Sequence, residues 1–295
     1  MRRRDFLSGV AFAGLGRARG SSAPIERDEL VDIGGRRLHA RISGSGAPVV
    51  VIDGGLADPI EVWTPVISRL AVQTRVCAYE RAGYGKSDGG PLPRTAHAVA
   101  GDLRMLLEKL SLPAPYVLLG HSLGAVHMML LAAESPELAG AMLLLDPPPR
   151  GFITGDRFPA LLKLAAQQTA ELQRMAKEAK GENAAGKALF LETVASEHEA
   201  LFGNPAQVTR VRTFGQLPLT VMASEVPNPA FGADADAFQQ FWIESNRQVA
   251  ALSRRGRFVL AVKSTHHIQR DAPDLVTREA LELVSVCRSR AAAAQ

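Results

Sequence analysis

Residues 116–130 read "YVLLGHSLGAVHMML", and the reading of this stretch decides the fold. Tyr116 to Leu119 is a short, continuous apolar run, the pattern of a strand buried on both faces. Gly120-His121-Ser122-Leu123-Gly124 interrupts it, and Ala125 to Ala133 resumes as an apolar helix. A serine between two glycines is either a turn residue or a nucleophile, and Gly-x-Ser-x-Gly alone arises readily by chance. The strand–turn–helix setting separates the two. A sharp turn at a strand end holds the serine in strained backbone that only small neighbours tolerate, and it lifts the hydroxyl clear of the sheet. Ser122 is therefore the candidate nucleophile, at the C-terminal edge of a sheet and beside a helix N-terminus.

Outward from this point the same alternation recurs. "PVVVID" (48–53), "TRVCAY" (74–79), "GAMLLLD" (140–146), "LPLTVMA" (217–223) and "RFVLAV" (257–262) are further apolar runs without polar alternation. Helix-like segments lie between them. Thr64-Pro65 reads as a cap and first-turn proline, Thr95 as the cap of "AHAVAGDLRMLLEKL", and Asp271 as the cap of "APDLVTREALELVSVCR". Near the start, "ELVDIGGRRLHAR" (29–41) alternates apolar and polar residues around Gly34-Gly35, as a hairpin does. The expectation is an α/β fold: a doubly wound, mostly parallel sheet with an N-terminal antiparallel hairpin at one edge.

The rhythm breaks once, over residues 147–216, far longer than a crossover needs. This segment contains two amphipathic helical patterns, 158–179 and 186–202, and reads as a helical cap inserted over the strand C-termini. Residues 24–146 and 217–295 then form the core. A long surface excursion without a role in binding is the alternative.

The net charge of +4 invites a nucleic-acid reading, but residues 1–23 hold five arginines against one aspartate. Taking five from 34 leaves 29 basic side chains, and one from 30 leaves 29 acidic ones, so the body is neutral and no nucleic-acid groove is expected. "MRRRDFLSGVAFAGLGRARGSSAP" has a basic start, a weakly apolar stretch and a small-residue run, and is too short to span a bilayer. Arg3-Arg4-Asp5-Phe6-Leu7 looks like a twin-arginine export signal, which implies a periplasmic or secreted enzyme; a basic tail on a cytoplasmic enzyme is the alternative. No integral span is expected in the mature chain. Cys77 and Cys287 provide neither a disulfide framework nor a metal cluster and read as small hydrophobes. Oligomeric state is not written in the sequence.

From about residue 29 to 290 the chain resembles the α/β-hydrolase fold family. The resemblance is carried by "VVVIDGGLADPIEVW", "YERAGYGKSD" (79–88), "GHSLG" and "STHHIQRDAPDLV" (264–276). It implies a serine activated by a histidine, which a carboxylate orients. His266 follows the last strand where the family has its base, with His267 adjacent as the alternative. Flanking the elbow, His121 and His127 read as packing residues, and His39, His97 and His198 as surface or structural. In many relatives the acid follows the penultimate strand, but Pro227 stands there. Some members place it after the strand that follows the elbow helix, where this chain has Asp146. The order Ser122, Asp146, His266 agrees with the family's. Glu225 is the alternative acid, then Asp234 or Asp236. The oxyanion hole would be the backbone N–H groups of Leu56 and Leu123. "YERAGYGKSD", with Arg81, Tyr84 and Ser87, mainly shapes the loop behind the elbow.

The implied chemistry is acyl-enzyme hydrolysis of a small carboxylic ester or related carbonyl substrate, with no cofactor and no metal. Serine at the elbow speaks against epoxide hydrolases and haloalkane dehalogenases, which use aspartate. "DGGLAD" also lacks the loop expected of proline-specific peptidases. A binding protein on the same fold, or a serine–histidine lyase or cofactor-free oxidase, remains the other reading.

Overall fold

In the computed structural model, which describes residues 25–203 and 210–293, the two-sided apolar runs form the middle of an eight-stranded sheet. The export-signal reading of residues 1–23 lies outside the described residues. The strands are β1 (Ile25–Asp32), β2 (Arg37–Ser43), β3 (Val50–Asp53), β4 (Val76–Tyr79), β5 (Tyr116–His121), β6 (Ala139–Leu145), β7 (Leu219–Ser224) and β8 (Gly256–Ala261). Their order is β1-β2-β4-β3-β5-β6-β7-β8. The hairpin β1–β2 is antiparallel and joins β4 antiparallel, while every other pairing is parallel. Gly34 and Gly35 take φ of +100° and +91° at the hairpin turn, where both N–H groups donate to Asp32 Oδ1. The expected sheet is thus present with the expected edge.

Helices cover both faces, and successive side chains of a strand serve opposite layers. Leu118 belongs to the layer under α2 (Ala96–Leu110) and α3 (Leu123–Glu134). Val117 and Leu119 belong to the layer under α1 (Thr64–Leu70) and the long C-terminal helix Pro273–Ala293. Between β6 and β7 run α4 (Arg150–Ile153), α5 (Pro159–Lys177) and α6 (Ala184–Gly203). After β7 comes α7 (Ala235–Ala250), and after β8 come α8 (Ile268–Asp271) and α9 (Pro273–Ala293). Among the described residues, no helix is long and apolar enough to cross a membrane.

Two local expectations need correction. Thr95 caps α2, accepting from Ala98 N–H at 3.1 Å, but Thr64 is the first residue of α1, continuous with the 3-10 turn Ile60–Trp63, and caps nothing. Asp271 ends α8 instead of opening the last helix. Its carboxylate accepts from the N–H and hydroxyl of Thr265 at 2.7 and 2.6 Å, which ties down the loop carrying His266.

Parallel pairing sends the C-terminal ends of β3, β5, β6, β7 and β8 to one edge. The register pairs Asp53 with Gly120, His121 with Leu145, Leu145 with Met222 and Ser224 with Ala261. Ser122, Asp146 and the loop after β8 therefore meet there.

Candidate active site

Ser122 sits between β5 and α3 with φ +52° and ψ −117°, outside the regions open to most residues. Its glycines are obligatory for space. A Cβ on Gly120 would lie 2.6 Å from Ala125 Cα and Gly124 O, and one on Gly124 would lie 2.2 Å from Asp53 O. As the first residue of α3, Leu123 has no intrahelical acceptor for its N–H.

The structure brings three of the predicted side chains into one line. Ser122 Oγ is 2.9 Å from His266 Nε2, and His266 Nδ1 is 2.6 Å from Asp146 Oδ2. A carboxylate only accepts, so Nδ1 carries the proton and Nε2 presents its lone pair to the serine. Burial depresses the His266 imidazole, but the Asp146 carboxylate bonded to it, with Asp58 nearby, more than offsets this and leaves it above the usual histidine value. Asp146 is fully buried and also accepts from Ser224 N–H and Oγ, both at 2.9 Å, and from Trp242 Nε1 at 2.8 Å. The other candidate acids are elsewhere. Glu225 Oε2 accepts from Lys263 N–H at 2.7 Å, while Asp234 and Asp236 are exposed. Nor does His267 reach the serine in place of His266; burial, with His121 and His266 beside it, lowers it to about 4.

Several residues passed over in the sequence join the site. The ring of His121 donates from Nε2 to the carbonyl of His266 at 2.8 Å and faces Asp58 Oδ2 through Nδ1 at 3.0 Å. Gln269 Nε2 also lies 3.2 Å from Nδ1, and the bond from Nε2 braces the loop that carries His266. Burial alone would raise Asp58, but bonds from His121 and from Gly55 N–H hold its carboxyl well below the usual range. The donor atoms of Asp58, His121 and His267 lie within 4.8 Å of one another, the one convergent set among the described residues that has metal-ligating chemistry. Trp242 reaches Asp146 from α7, where it also packs against Phe238 one turn earlier, and nothing in the local sequence sets it apart from a core aromatic.

Behind the loop after β3, Arg81 is buried with Asp53 and Glu197. Its guanidinium donates to Asp53 Oδ1 at 2.7 Å and to both oxygens of Glu197 at 2.9 and 3.1 Å. Two further bonds reach the carbonyls of Gly54 (2.7 Å) and Gly55 (2.8 Å). His127, read as a packing residue, hydrogen-bonds Asp53 Oδ2 at 2.8 Å from α3. His39 bonds Asp28 and Glu80, and His198 bonds Thr169, so both are structural, while His97 is exposed beside Glu134.

A strained elbow serine, a parallel sheet and a histidine–carboxylate pair at its edge define a class. The chain belongs to the alpha/beta hydrolase fold family, whose sequence profile matches residues 47–200. It is 27% identical over 258 residues to the uncharacterized Bacillus subtilis protein YqjL, covering 86% of this chain and 90% of that one. Over 116 residues it is 32% identical to the 2-(acetamidomethylene)succinate hydrolase of Mesorhizobium japonicum, covering 39% and 41% of the two chains. A thermophilic esterase from Thermogutta terrifontis superposes with a TM-score of 0.67 over 90% of this chain and 99% of its own, at 18% identity, a likeness of fold alone.

Proposed function

We propose that the protein is a serine hydrolase that cleaves a small carboxylic ester, or a related carbonyl substrate, through an acyl-enzyme. The observation that carries this is the unbroken relay from Asp146 Oδ2 through His266 to Ser122 Oγ, at 2.6 and 2.9 Å. His266 Nε2 takes the serine proton as Oγ attacks the carbonyl carbon. The N–H groups of Leu56 and Leu123 receive the oxyanion. His266 then protonates the leaving group, and a water activated by the same nitrogen releases the acid. Hydrolase names among the relatives agree with this reading without fixing the bond cleaved.

In this reading α5 and α6 form a cap whose closure shapes the acyl site. Leu172 and Leu191 from these helices pack with Tyr84, Leu56 and Ala57 beside the oxyanion loop. A fluorophosphonate probe should label wild type and not Ser122→Ala, and short p-nitrophenyl esters should be cleaved. A folded protein inert to both would refute the proposal and favour a binding role.

We also propose export through the twin-arginine-like start. Mature protein from the native host should begin beyond Arg19; an intact residue 1 would refute this.

A further inference from the structure

We propose that Arg81 is the positioning residue for the oxyanion donor of Leu56, and that Glu197 makes this positioning conditional on α6 being docked. The inference rests on the serine-hydrolase reading above.

The argument begins with one peptide plane. The carbonyl of Gly55 and the N–H of Leu56 belong to the same trans amide and point in opposite directions. Arg81 Nη2 holds the Gly55 carbonyl at 2.8 Å, so the Leu56 N–H is aimed away from Arg81. The elbow packs against the same loop. A Cβ on Gly55 would meet His121 Nδ1 at 2.7 Å, and a Cβ on Gly124 would meet Asp53 O and Gly54 O at 2.2 and 2.5 Å. The loop is thus packed against both Arg81 and the Ser122 turn, and the guanidinium, together with the Asp58 N–H that donates to the Gly55 carbonyl at 3.2 Å, sets which way its amide faces. A second bond, to the Gly54 carbonyl at 2.7 Å, removes the freedom to rotate the preceding peptide.

Arg81 is in turn held by a group from another part of the chain. Glu197 lies on α6, in the segment between β6 and β7, and is 1% exposed. It accepts from Arg81 Nε and Nη2, and Oε2 also accepts the Tyr84 hydroxyl at 2.6 Å. That hydroxyl oxygen accepts from Ala57 N–H at 3.2 Å, next to Leu56. Moreover, Thr193 on the same helix closes over Gly83, where a Cβ would lie 2.1 Å from its Oγ1. Withdrawal of α6 would strip Arg81 and Tyr84 of their common acceptor, leaving a buried cation with one carboxylate, Asp53, two carbonyls and the Tyr84 hydroxyl, which accepts from Nη2 at 2.9 Å. The oxyanion donor is therefore aligned while α6 is seated and released when it lifts, which links closure over substrate to assembly of the site.

The test uses Glu197→Gln, Arg81→Lys and, as a control on the exposed face of the same helix, Glu199→Gln. Hydrogen exchange is followed at the bonded amides of Gly55, Ala57 and Asp58, alongside p-nitrophenyl ester kinetics. The expected result for Glu197→Gln is faster exchange at these amides by about tenfold or more, with the β5 amides unchanged. Turnover should fall by about 10- to 100-fold, less than the loss of a whole oxyanion donor, with KM within about threefold. Because His266 and Asp146 do not touch Arg81, the pH at which kcat begins to rise should not move. Folded Glu197→Gln with wild-type kcat and wild-type exchange would overturn the proposal, as would a loss confined to KM. Should Arg81→Lys fail to fold, Glu197→Gln alone decides. A wild type that resists fluorophosphonate and cleaves no ester overturns the hydrolase reading and the oxyanion role with it, and the exchange data then decide separately whether Arg81 and Glu197 hold the loop.

Discussion

Replacing Asp146 by asparagine exchanges one carboxylate oxygen for an NH2 group, and the surrounding donors decide which one. Oδ1 faces the N–H of Ser224 and the indole N–H of Trp242, neither of which can accept a hydrogen bond. Oδ2 faces Ser224 Oγ and His266 Nδ1, both of which can. The amide oxygen therefore takes the Oδ1 position and the NH2 the Oδ2 position. An NH2 against Nδ1 requires an unprotonated Nδ1, so the imidazole proton moves to Nε2, directly against Ser122 Oγ. In that tautomer nothing can take the serine proton. The same substitution in a serine protease triad lowers turnover by about 10⁴, and we expect a fall of about 10³ to 10⁴ in kcat here. Stability should drop by no more than about 1–3 kcal/mol, because the bonds from Ser224 N–H and Trp242 survive. The assay is p-nitrophenyl ester turnover with urea unfolding in parallel, and Glu225→Gln as the comparison, expected within about threefold of wild type because Glu225 bonds only the loop after β8. An Asp146→Asn enzyme within tenfold of wild type, or a larger loss in Glu225→Gln, would refute the assignment of the acid.

The remaining predictions are shorter. Since a base works only when neutral, and His266 is raised from 6.5 by Asp146, kcat/KM should rise with a midpoint above 6.5 that moves to lower pH in Asp146→Ala; a wild-type midpoint below 6.5 would contradict this. By linkage, a raised folded value means that the His266–Asp146 pair stabilises the fold fully below the unfolded histidine value and loses that contribution as pH climbs through the folded one, which unfolding curves across that window would report. Gly124→Ala should yield little folded protein, because its Cβ would lie 2.2 Å from the Asp53 carbonyl, whereas Gly101→Ala, with nothing within 4 Å on α2, should stabilise by about 0.4–1 kcal/mol in a thermal melt.

What could be read from the sequence follows from the range of the forces involved. Strands buried on both faces need apolar side chains at every position, so β3 to β7 show themselves as unbroken runs. Ser122 is legible because its strained turn demands small neighbours within two residues. Contacts between distant segments leave no such mark. Arg81 and Glu197 are 116 positions apart, and His121 and Asp58 are 63 apart. Each residue reads as an ordinary polar side chain until the sheet edge gathers them. The two misread caps have the same origin. Thr64 and Asp271 have the right local chemistry, but the preceding 3-10 turn absorbs one and the loop of Thr265 claims the other.

The place of Asp146, after β6 and not after β7, has consequences for the rest of the site. Leu145 pairs with Met222, so Ser224 comes to rest beside Asp146 and supplies both its N–H and its hydroxyl. Gln239 Nε2 donates to the Ser224 carbonyl at 2.7 Å and to its Oγ at 3.2 Å, which directs the hydroxyl proton towards the carboxylate. Trp242, one turn further along α7, fills the last position on Oδ1, and Asn246, a turn beyond, ties the helix to the Pro147 carbonyl at 3.2 Å. One face of a single helix thus carries the supports of the proposed acid. With two donors on each oxygen, counting His266, the carboxylate cannot rotate without abandoning bonds, and Asp146 is itself buried, where an unmade bond to a charge is costly. A fixed carboxylate fixes the Nδ1–H tautomer, and that tautomer is what leaves Nε2 free for Ser122. The chain after β7, relieved of the acid, is then free to end at Glu225 in a bond to the N–H of Lys263, which secures the loop from β8 to His266.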